Sequence, residues 1–277
     1  MQLTRQQKLN FHRDGYIKIS GAVPQRMVEQ ALRAINHSLG EEGMNKEDLP
    51  TLRSRSYCGE VQKDPAITDI FNHSPVFTLS ESLLGEDNVL EACAGQIALR
   101  FPTAPIADPG PPRGHLDGIG SGLNGQAKGQ YRRGFTGLAV VLLSQLTGDY
   151  GGNFTVWPGS HTFFENHFKE HGHEILGEGM PKVDLPNEPV QITGEPGDAI
   201  LAHHQIVHTA APNASSHIRY ATIFRLRHKD CDEIGHDAYT DIWREWPGIQ
   251  AALTEPVCAL QKHRFPAHSP TSASEGS

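Results

Sequence analysis

Residues 136–146 read TGLAVVLLSQL, and this run decides the fold. It is a short apolar segment followed within a few residues by glycine, as a buried strand is. Phe154 to Trp157, Ala199 to Leu201 and Arg219 to Leu226 repeat the pattern, and Gln96–Phe101 is a further predicted strand. Glycine, proline and asparagine punctuate all of them. Short apolar runs separated by such breakers predict an all-β sandwich or barrel rather than alternating strand–helix units.

Upstream of this β region the periodicity is helical. Thr4 with Gln7 three residues later forms a capping-box signature, opening a short helix that stops at Gly15. Tyr16 to Ile19 reads as a short strand. From Pro24, apolar Met27, Val28, Ala31, Leu32, Ile35 and Leu39 recur at three- and four-residue steps, which predicts an amphipathic helix over 24–39 ended by Gly40. The polar stretch 41–56 reads as loop, and Ser74-Pro75 starts a helix reaching Leu84. The division expected is one domain over 1–268: helices over 1–85, a β core over 86–228 and a C-terminal helical piece over 229–268. A small-residue, disordered tail 269–277 follows.

Composition narrows the partners. The 277 residues carry 24 lysines and arginines against 32 acidic residues, a net charge of -8. That balance argues against nucleic acid as a partner, which would call for a basic stripe. No segment approaches the ~18 consecutive apolar residues of a membrane span, and the N-terminal residues lack the apolar core of a secretory signal. Cys58, Cys93, Cys231 and Cys258 are scattered without CxxC spacing, so neither a zinc site nor a disulfide framework is expected. A cytoplasmic protein with a small-molecule substrate fits these bounds. The oligomeric state is not legible.

The chemistry-bearing pattern is His115-Leu116-Asp117, then His208, then Arg219. Two imidazoles and one carboxylate can hold one face of an octahedral ferrous ion and leave the opposite face open. An arginine beyond the second histidine offers a planar, permanently charged fork for a carboxylate such as the distal end of 2-oxoglutarate. With 16 histidines, chance motifs are a danger. His-x-Asp also occurs at His12-Arg13-Asp14 and at His228-Lys229-Asp230. His12 falls at the polar end of a predicted helix, and His228 sits among charges in RLRHKDCDE; both read as surface. His115 follows a proline- and glycine-rich loop, Asp108 to Gly114, and precedes a glycine-rich one. Residues i and i+2 of an extended segment share a side, so His115 and Asp117 can share an ion. Of His203, His204 and His208, the spacing to Arg219 selects His208. Eleven residues allow a strand end, the Pro212-Asn213 turn and entry into an antiparallel partner. His203 and His204 are then packing groups or groups that orient the ligands.

These residues sit within a wider resemblance. GHLDG at 114–118, GGNFTVWPGSH at 151–161 and GDAILAHHQIVHTAAPNASSHIRYA at 197–221, with the opening LNFHRDGYIKISGAVPQRMVEQALRAI, resemble the phytanoyl-CoA dioxygenase family of Fe(II)/2-oxoglutarate-dependent oxygenases. The resemblance implies a mainly β fold with flanking helices, a double-stranded β-helix (jelly roll, cupin-like). It implies Fe(II) held by His115, Asp117 and His208, with 2-oxoglutarate and O2 as co-substrates and Arg219 on the distal carboxylate. Arg100 and Thr209 are further candidates for the co-substrate pocket. Many relatives carry a hydroxyl residue two positions after the distal histidine, where this chain has Ala210. His161 in the Pro-Gly-Ser-His block is expected to be structural. Related halogenases replace the triad carboxylate with a small residue; Asp117 therefore disfavours halogenation.

The activity expected is hydroxylation of a small organic substrate with release of succinate and CO2. The competing readings are a cupin-like metalloenzyme that does not use 2-oxoglutarate and a non-catalytic jelly-roll binding protein. Gly118–Phe135, with Lys128, Arg132 and Arg133, reads either as a basic lid that meets an anionic substrate or as a solvated charged loop. Trp157 and Phe135 are candidate pocket aromatics.

Overall fold

The computed structural model describes residues 1–104 and 110–255. The Asp108-Pro109 start of the loop before His115, Cys258 and the expected tail 269–277 lie outside the described residues.

Among the described residues, eight strands form two antiparallel sheets. The larger has the order β1 (Tyr16–Ile19), β6 (Ala199–His203), β3 (Gly137–Leu142), β8 (Arg219–Leu226) and β2 (Gln96–Arg100). The smaller has the order β5 (Val190–Gln191), β4 (Phe154–Val156) and β7 (His208–Ala210). Side chains alternate across a strand, and the central strand β3 uses both faces. Leu138, Val140 and Leu142 pack with Ile200, Ala202, Ala221, Phe154 and Val156 between the two sheets. Ala139 and Val141 pack on the other side with Ala199, Leu201, Phe224 and the helices. A strand covered on both faces has no solvent side to mark with polar residues, hence the unbroken run GLAVVL. Antiparallel sheets with a helical cover are the fold the sequence called for.

The helices are α1 (Arg5–Asp14), α2 (Gln25–Glu41), α3 (Leu49–Ser54), α4 (Pro65–Asn72), α5 (Pro75–Leu84), α6 (Ser160–His171), α7 (Cys231–Ile234) and α8 (Pro247–Thr254). The capping box of α1 is present: Thr4 Oγ1 accepts from the Gln7 amide at 3.3 Å, and the Thr4 amide donates to Gln7 Oε1 at 2.8 Å. Gly15 ends the helix at φ 79°, a conformation glycine adopts without steric cost. The α2 helix turns Val28, Ala31 and Ile35 toward the core, as its spacing predicts. It runs through Gly40 to Glu41, however, because Glu42 continues the helical hydrogen bonding to Ser38. The polar stretch 41–56 is not all loop, since it contains α3 with no fully buried residue. Helices α4 and α6 arise where the sequence reading placed none. Asp64 and Pro65 start α4. In α6, buried His161, Phe164 and Phe168 form the inner side.

Candidate metal centre

His115, Asp117 and His208 converge because the backbone pairs them. His115 lies outside the named strands, yet it forms an antiparallel bridge with His208: the His115 amide donates to the His208 carbonyl at 3.0 Å, and the reverse bond is 3.1 Å. Residues that exchange both hydrogen bonds point their side chains to the same face, so the imidazole centroids are 4.6 Å apart. Asp117, two residues on, returns to that face. His115 Nε2 lies 3.3 Å from Asp117 Oδ1, and His208 Nε2 lies 3.7 Å from Asp117 Oδ2. One ligand atom from each residue falls within 4.8 Å of the others, and this is the only such group of three among the described residues. Two nitrogens and a carboxylate oxygen at this mutual distance fit a divalent ion such as Fe(II) and leave its remaining positions to other ligands.

The local chain explains the precision. Gly114 presses against Val207 and Trp157, where an added Cβ would lie 2.4 Å from Val207 Cγ1; only glycine lets the His115 segment close onto β7. His208 is buried, and its Nδ1 donates to the Ile206 carbonyl at 3.0 Å. With the proton on Nδ1, the Nε2 lone pair faces Asp117. Burial lowers the His208 pKa to about 4 despite the neighbouring carboxylate, which acts to raise it. Burial alone would raise the Asp117 pKa, but His208 and His115 outweigh it and hold the carboxyl well below its ordinary range. Both groups are thus unprotonated donors at neutral pH. His115 differs in exposure, its side chain being about half open at 52% against 7% for His208.

The triad borders a cavity of about 880 Å³. One wall is the inner face of the large sheet: Gln96, Ala98 and Arg100 of β2, Leu138 and Val140 of β3, and Ile223 and Arg225 of β8. Arg219, one strand over from Arg100 in the β2–β8 register, is 5% exposed and also lines the cavity. Its Nε donates to the Gly152 carbonyl at 2.8 Å, and its Nη1 donates to the Ala98 carbonyl at 3.1 Å. Burial lowers its pKa to about 10, and the like charge of Arg100 adds to the effect. Gly152 sits at φ 79° with an ideal Cβ 2.8 Å from Arg100 Cβ and 3.2 Å from Arg219 Cβ, so a side chain there would displace both arginines. Arg100 Nε donates to the Ala211 carbonyl at 3.2 Å. Thr209 and Ala210 both border the cavity.

The segment 118–132 folds back on itself through the bridge Ile119 to Tyr131 and a 2.8 Å bond from the Arg132 amide to the Gly118 carbonyl. Tyr131 Oη meets His173 Nδ1 at 2.8 Å. Gly118–Ser121, Asn124 and Gln126 line the cavity on this side, and Arg53–Arg55 of the 41–63 region line it on another. Arg133 does not join them. It is buried in an ion pair with Glu245, whose Oε1 also accepts from Thr136. That pair ties the C-terminal segment to the start of β3. Phe135 lines the cavity; Trp157 packs away from it with Leu116, Phe164 and Val207.

The other histidines fall elsewhere. His161 is buried, with Nε2 donating to the His12 carbonyl at 3.0 Å, a structural role as expected. His203 donates to the Ile242 carbonyl at 3.0 Å and stacks on Trp246. His204 is buried beside it, and neither borders the cavity. His228 is buried, not on the surface; its charged neighbours concealed a position tied by its amide to Thr136 Oγ1. Burial lowers the His161 pKa to about 4 and those of His203 and His204 well below the ordinary value. Each is therefore neutral when folded and takes up a proton on unfolding below pH ~6.5. Stability is full above that pH and falls toward pH 4, by up to about 1.4 kcal/mol per pH unit for each group. Urea midpoints measured from pH 7.5 to 5 should drop steeply and drop less in His161→Gln. A flat profile would mean that these imidazoles are not held neutral.

The family model of phytanoyl-CoA dioxygenase (PhyH) matches residues 11–221. A search of curated proteins found none that matches. Among solved structures, the non-heme alpha ketoglutarate dependent carbocyclase SnoK from nogalamycin biosynthesis is 17% identical at TM-score 0.55, covering 81% of this chain and 83% of its own. AviO1 from Streptomyces viridochromogenes Tue57 is 15% identical at TM-score 0.54, covering 82% of this chain and 96% of its own. EctD from S. alaskensis, solved with 2-oxoglutarate and 5-hydroxyectoine, is 16% identical at TM-score 0.51, with coverages of 82% and 76%. At such identities the likeness is one of fold: the double-stranded β-helix. The family match spans far more than half of the chain and includes His115, Asp117, His208 and Arg219, and the chain belongs to the phytanoyl-CoA dioxygenase family of Fe(II)- and 2-oxoglutarate-dependent oxygenases.

Proposed function

We propose that His115, Asp117 and His208 hold the Fe(II) of this dioxygenase, that Arg219 anchors the distal carboxylate of 2-oxoglutarate, and that the product is a hydroxylated small molecule. The observation that carries the assignment is the antiparallel bridge between His115 and His208, which brings together two imidazoles separated by 93 residues and sets Asp117 between them. Bound iron with 2-oxoglutarate and O2 supplies the oxidising chemistry, converting the keto acid to succinate and CO2.

The chain supplies position. The Ile206 carbonyl fixes the His208 tautomer. The carbonyls of Gly152 and Ala98 take two of Arg219's five N–H donors and aim the guanidinium, leaving the others for a carboxylate. Arg100 stands across the strand pair as a second cation. Thr209 borders the same cavity, but within β7 its side chain alternates with those of His208 and Ala210. Leu138, Val140, Phe154 and Ile223 keep the inner wall apolar, which strengthens every charge interaction within it. Among the described residues Cys58 and Cys231 are buried, Cys93 is exposed and none pairs with another; an exposed thiol of this kind supports a reducing, cytoplasmic setting.

Co-substrate binding that requires metal separates this reading from a metal-independent binding protein. Because a ligand that binds only the folded state stabilises it by RT ln(1 + [L]/Kd), 2-oxoglutarate at 100 times its Kd should add about 2.7 kcal/mol. The melting temperature should rise with 2-oxoglutarate when Ni(II) or anaerobic Fe(II) is present and stay unchanged in chelator. Equal rises in both conditions would remove the chelating metal from the assignment.

A further inference from the structure

The chain as a whole is acidic, with a net charge of -8, yet among the described residues the cavity wall holds seven arginines and a single carboxylate, Asp117. Arg219 and Arg100 face the co-substrate end. The other five, Arg53, Arg55, Arg132, Arg225 and Arg227, come from three separate regions of the chain. Arg53 and Arg55 belong to α3 and its C-cap, Arg132 closes the 118–132 segment, and Arg225 and Arg227 continue the inward stripe Arg219, Ala221, Ile223 along and beyond β8. An i, i+2 series on one strand face points one way, so the stripe carries positive charge from the co-substrate end toward the mouth.

Most of these charges have no neutralising partner among the described residues. Arg227 pairs with Asp232, but Arg53, Arg55, Arg132 and Arg225 make no ion pair with a described residue. Arg225 is held in place: its Nη1 donates to Gln96 Oε1 at 3.1 Å, and its guanidinium sits 5.7 Å from the centre of the Phe135 ring. It lines the same cavity as Asp117 and His208. Across the cavity, Arg55 Nη2 reaches the 118–132 segment, lying 3.2 Å from where a Cβ on Gly125 would stand. Like charges gathered on one concave wall repel one another, and their common use is to focus an anion. One 2-oxoglutarate carboxylate occupies one guanidinium fork and leaves this second group unanswered.

We infer that the substrate carries an oxyanion, a carboxylate or a phosphate ester, and that Arg225, with Arg55 and Arg132 from the opposite walls, binds it at the mouth of the metal cavity. The inference rests on the metal and co-substrate assignments above. Of the basic residues in 118–135 it makes Arg132 part of a binding wall, since Arg133 is buried in its ion pair and Lys128 does not line the cavity.

The test uses full-length protein loaded with Ni(II) and saturating 2-oxoglutarate at constant ionic strength, so that Arg219 is already occupied. Inorganic phosphate, butyrate and the neutral isostere butyramide are titrated by calorimetry. At least one anion is expected to bind while butyramide does not, and Arg225→Gln or Arg55→Gln should weaken that binding by at least about tenfold, the scale of one lost charge-assisted hydrogen bond. Both residues are exposed, so the variants keep the fold. Response to butyrate alone identifies a carboxylate substrate, and response to phosphate alone identifies a phosphate ester. Butyramide binding as well as butyrate, anion binding unchanged in both variants, or no anion binding overturns the inference. The thermal shift with 2-oxoglutarate is read on the same samples. If it is present without anion binding, only this inference falls; if it is missing, the co-substrate reading falls and takes the inference with it.

Discussion

His208→Ala abolishes metal retention and, with it, 2-oxoglutarate-dependent succinate formation. Losing one outer hydrogen-bond partner of a metal ligand already costs ~10–100-fold in affinity or activity, so losing the ligand itself should lower turnover by more than about 100-fold. The fold survives, because the two bonds that pair position 208 with His115 belong to the backbone. Some stability goes. The buried imidazole fills space beside Phe154, at 5.5 Å between centroids, and bonds the Ile206 carbonyl; removing it costs on the order of 1–3 kcal/mol. His115→Ala makes the informative contrast. Its side chain is half exposed, so that variant should lose metal equally while its metal-free melting temperature stays near wild type. Metal content after dialysis, succinate yield and metal-free melting temperature check all three points. A His208→Ala protein that keeps stoichiometric iron would remove it from the ligand set.

The triad was legible for a local reason and a topological one. His115 and Asp117 are i and i+2, a spacing that puts two side chains on one side of any extended segment. The distance from His208 to Arg219 suits a strand, a turn and a second strand, which β7 and β8 supply; they lie in different sheets rather than as the antiparallel partners expected, and both residues still line one cavity. What no spacing could show is the bridge between 115 and 208, which is a long-range pairing outside the regular strands.

The α1 cap and the bounds of β8 were legible because caps and apolar runs act over a few residues. Helix α3 was not, because it buries no residue fully and leaves no apolar period to read. Helix α6 hid behind the Pro-Gly-Ser-His block, where Gly159 in a left-handed conformation starts a helix without a side-chain cap. The burial of His228 was hidden by its charged neighbours Arg227, Lys229 and Asp230, none of which is itself buried. The arginine wall was least legible of all. Positions 53–55, 132 and 225–227 look like ordinary solvated charges until α3, the 118–132 segment and β8 close around one cavity.

The same wall makes Arg219 a residue whose loss should have effects of opposite sign on binding and on stability. In the ligand-free protein Arg219 is 5% exposed, and its guanidinium meets two backbone carbonyls, stands across the strand pair from Arg100 and has no ion-pair partner among the described residues. Taking a charge out of water costs several kcal/mol, and two carbonyl contacts offset only a fraction of that. Arg219→Met keeps most of the aliphatic volume and removes the charge, but it leaves the Gly152 and Ala98 carbonyls short of a donor, about 1–3 kcal/mol each at most. The ligand-free melting temperature should therefore hold or rise, where truncation of an ordinary buried side chain lowers it. Co-substrate binding should fail. Removing one partner of a buried, hydrogen-bonded charge pair costs ~2–5 kcal/mol, which at 1.4 kcal/mol per tenfold is a 2-oxoglutarate Kd roughly 30- to several-thousand-fold weaker. Metal affinity should change little, since Arg219 touches none of the three ligands. If the ligand-free protein instead loses several kcal/mol while binding 2-oxoglutarate normally, Arg219 is a brace between β2, β8 and the Gly152 turn, and the co-substrate's distal carboxylate must be held elsewhere.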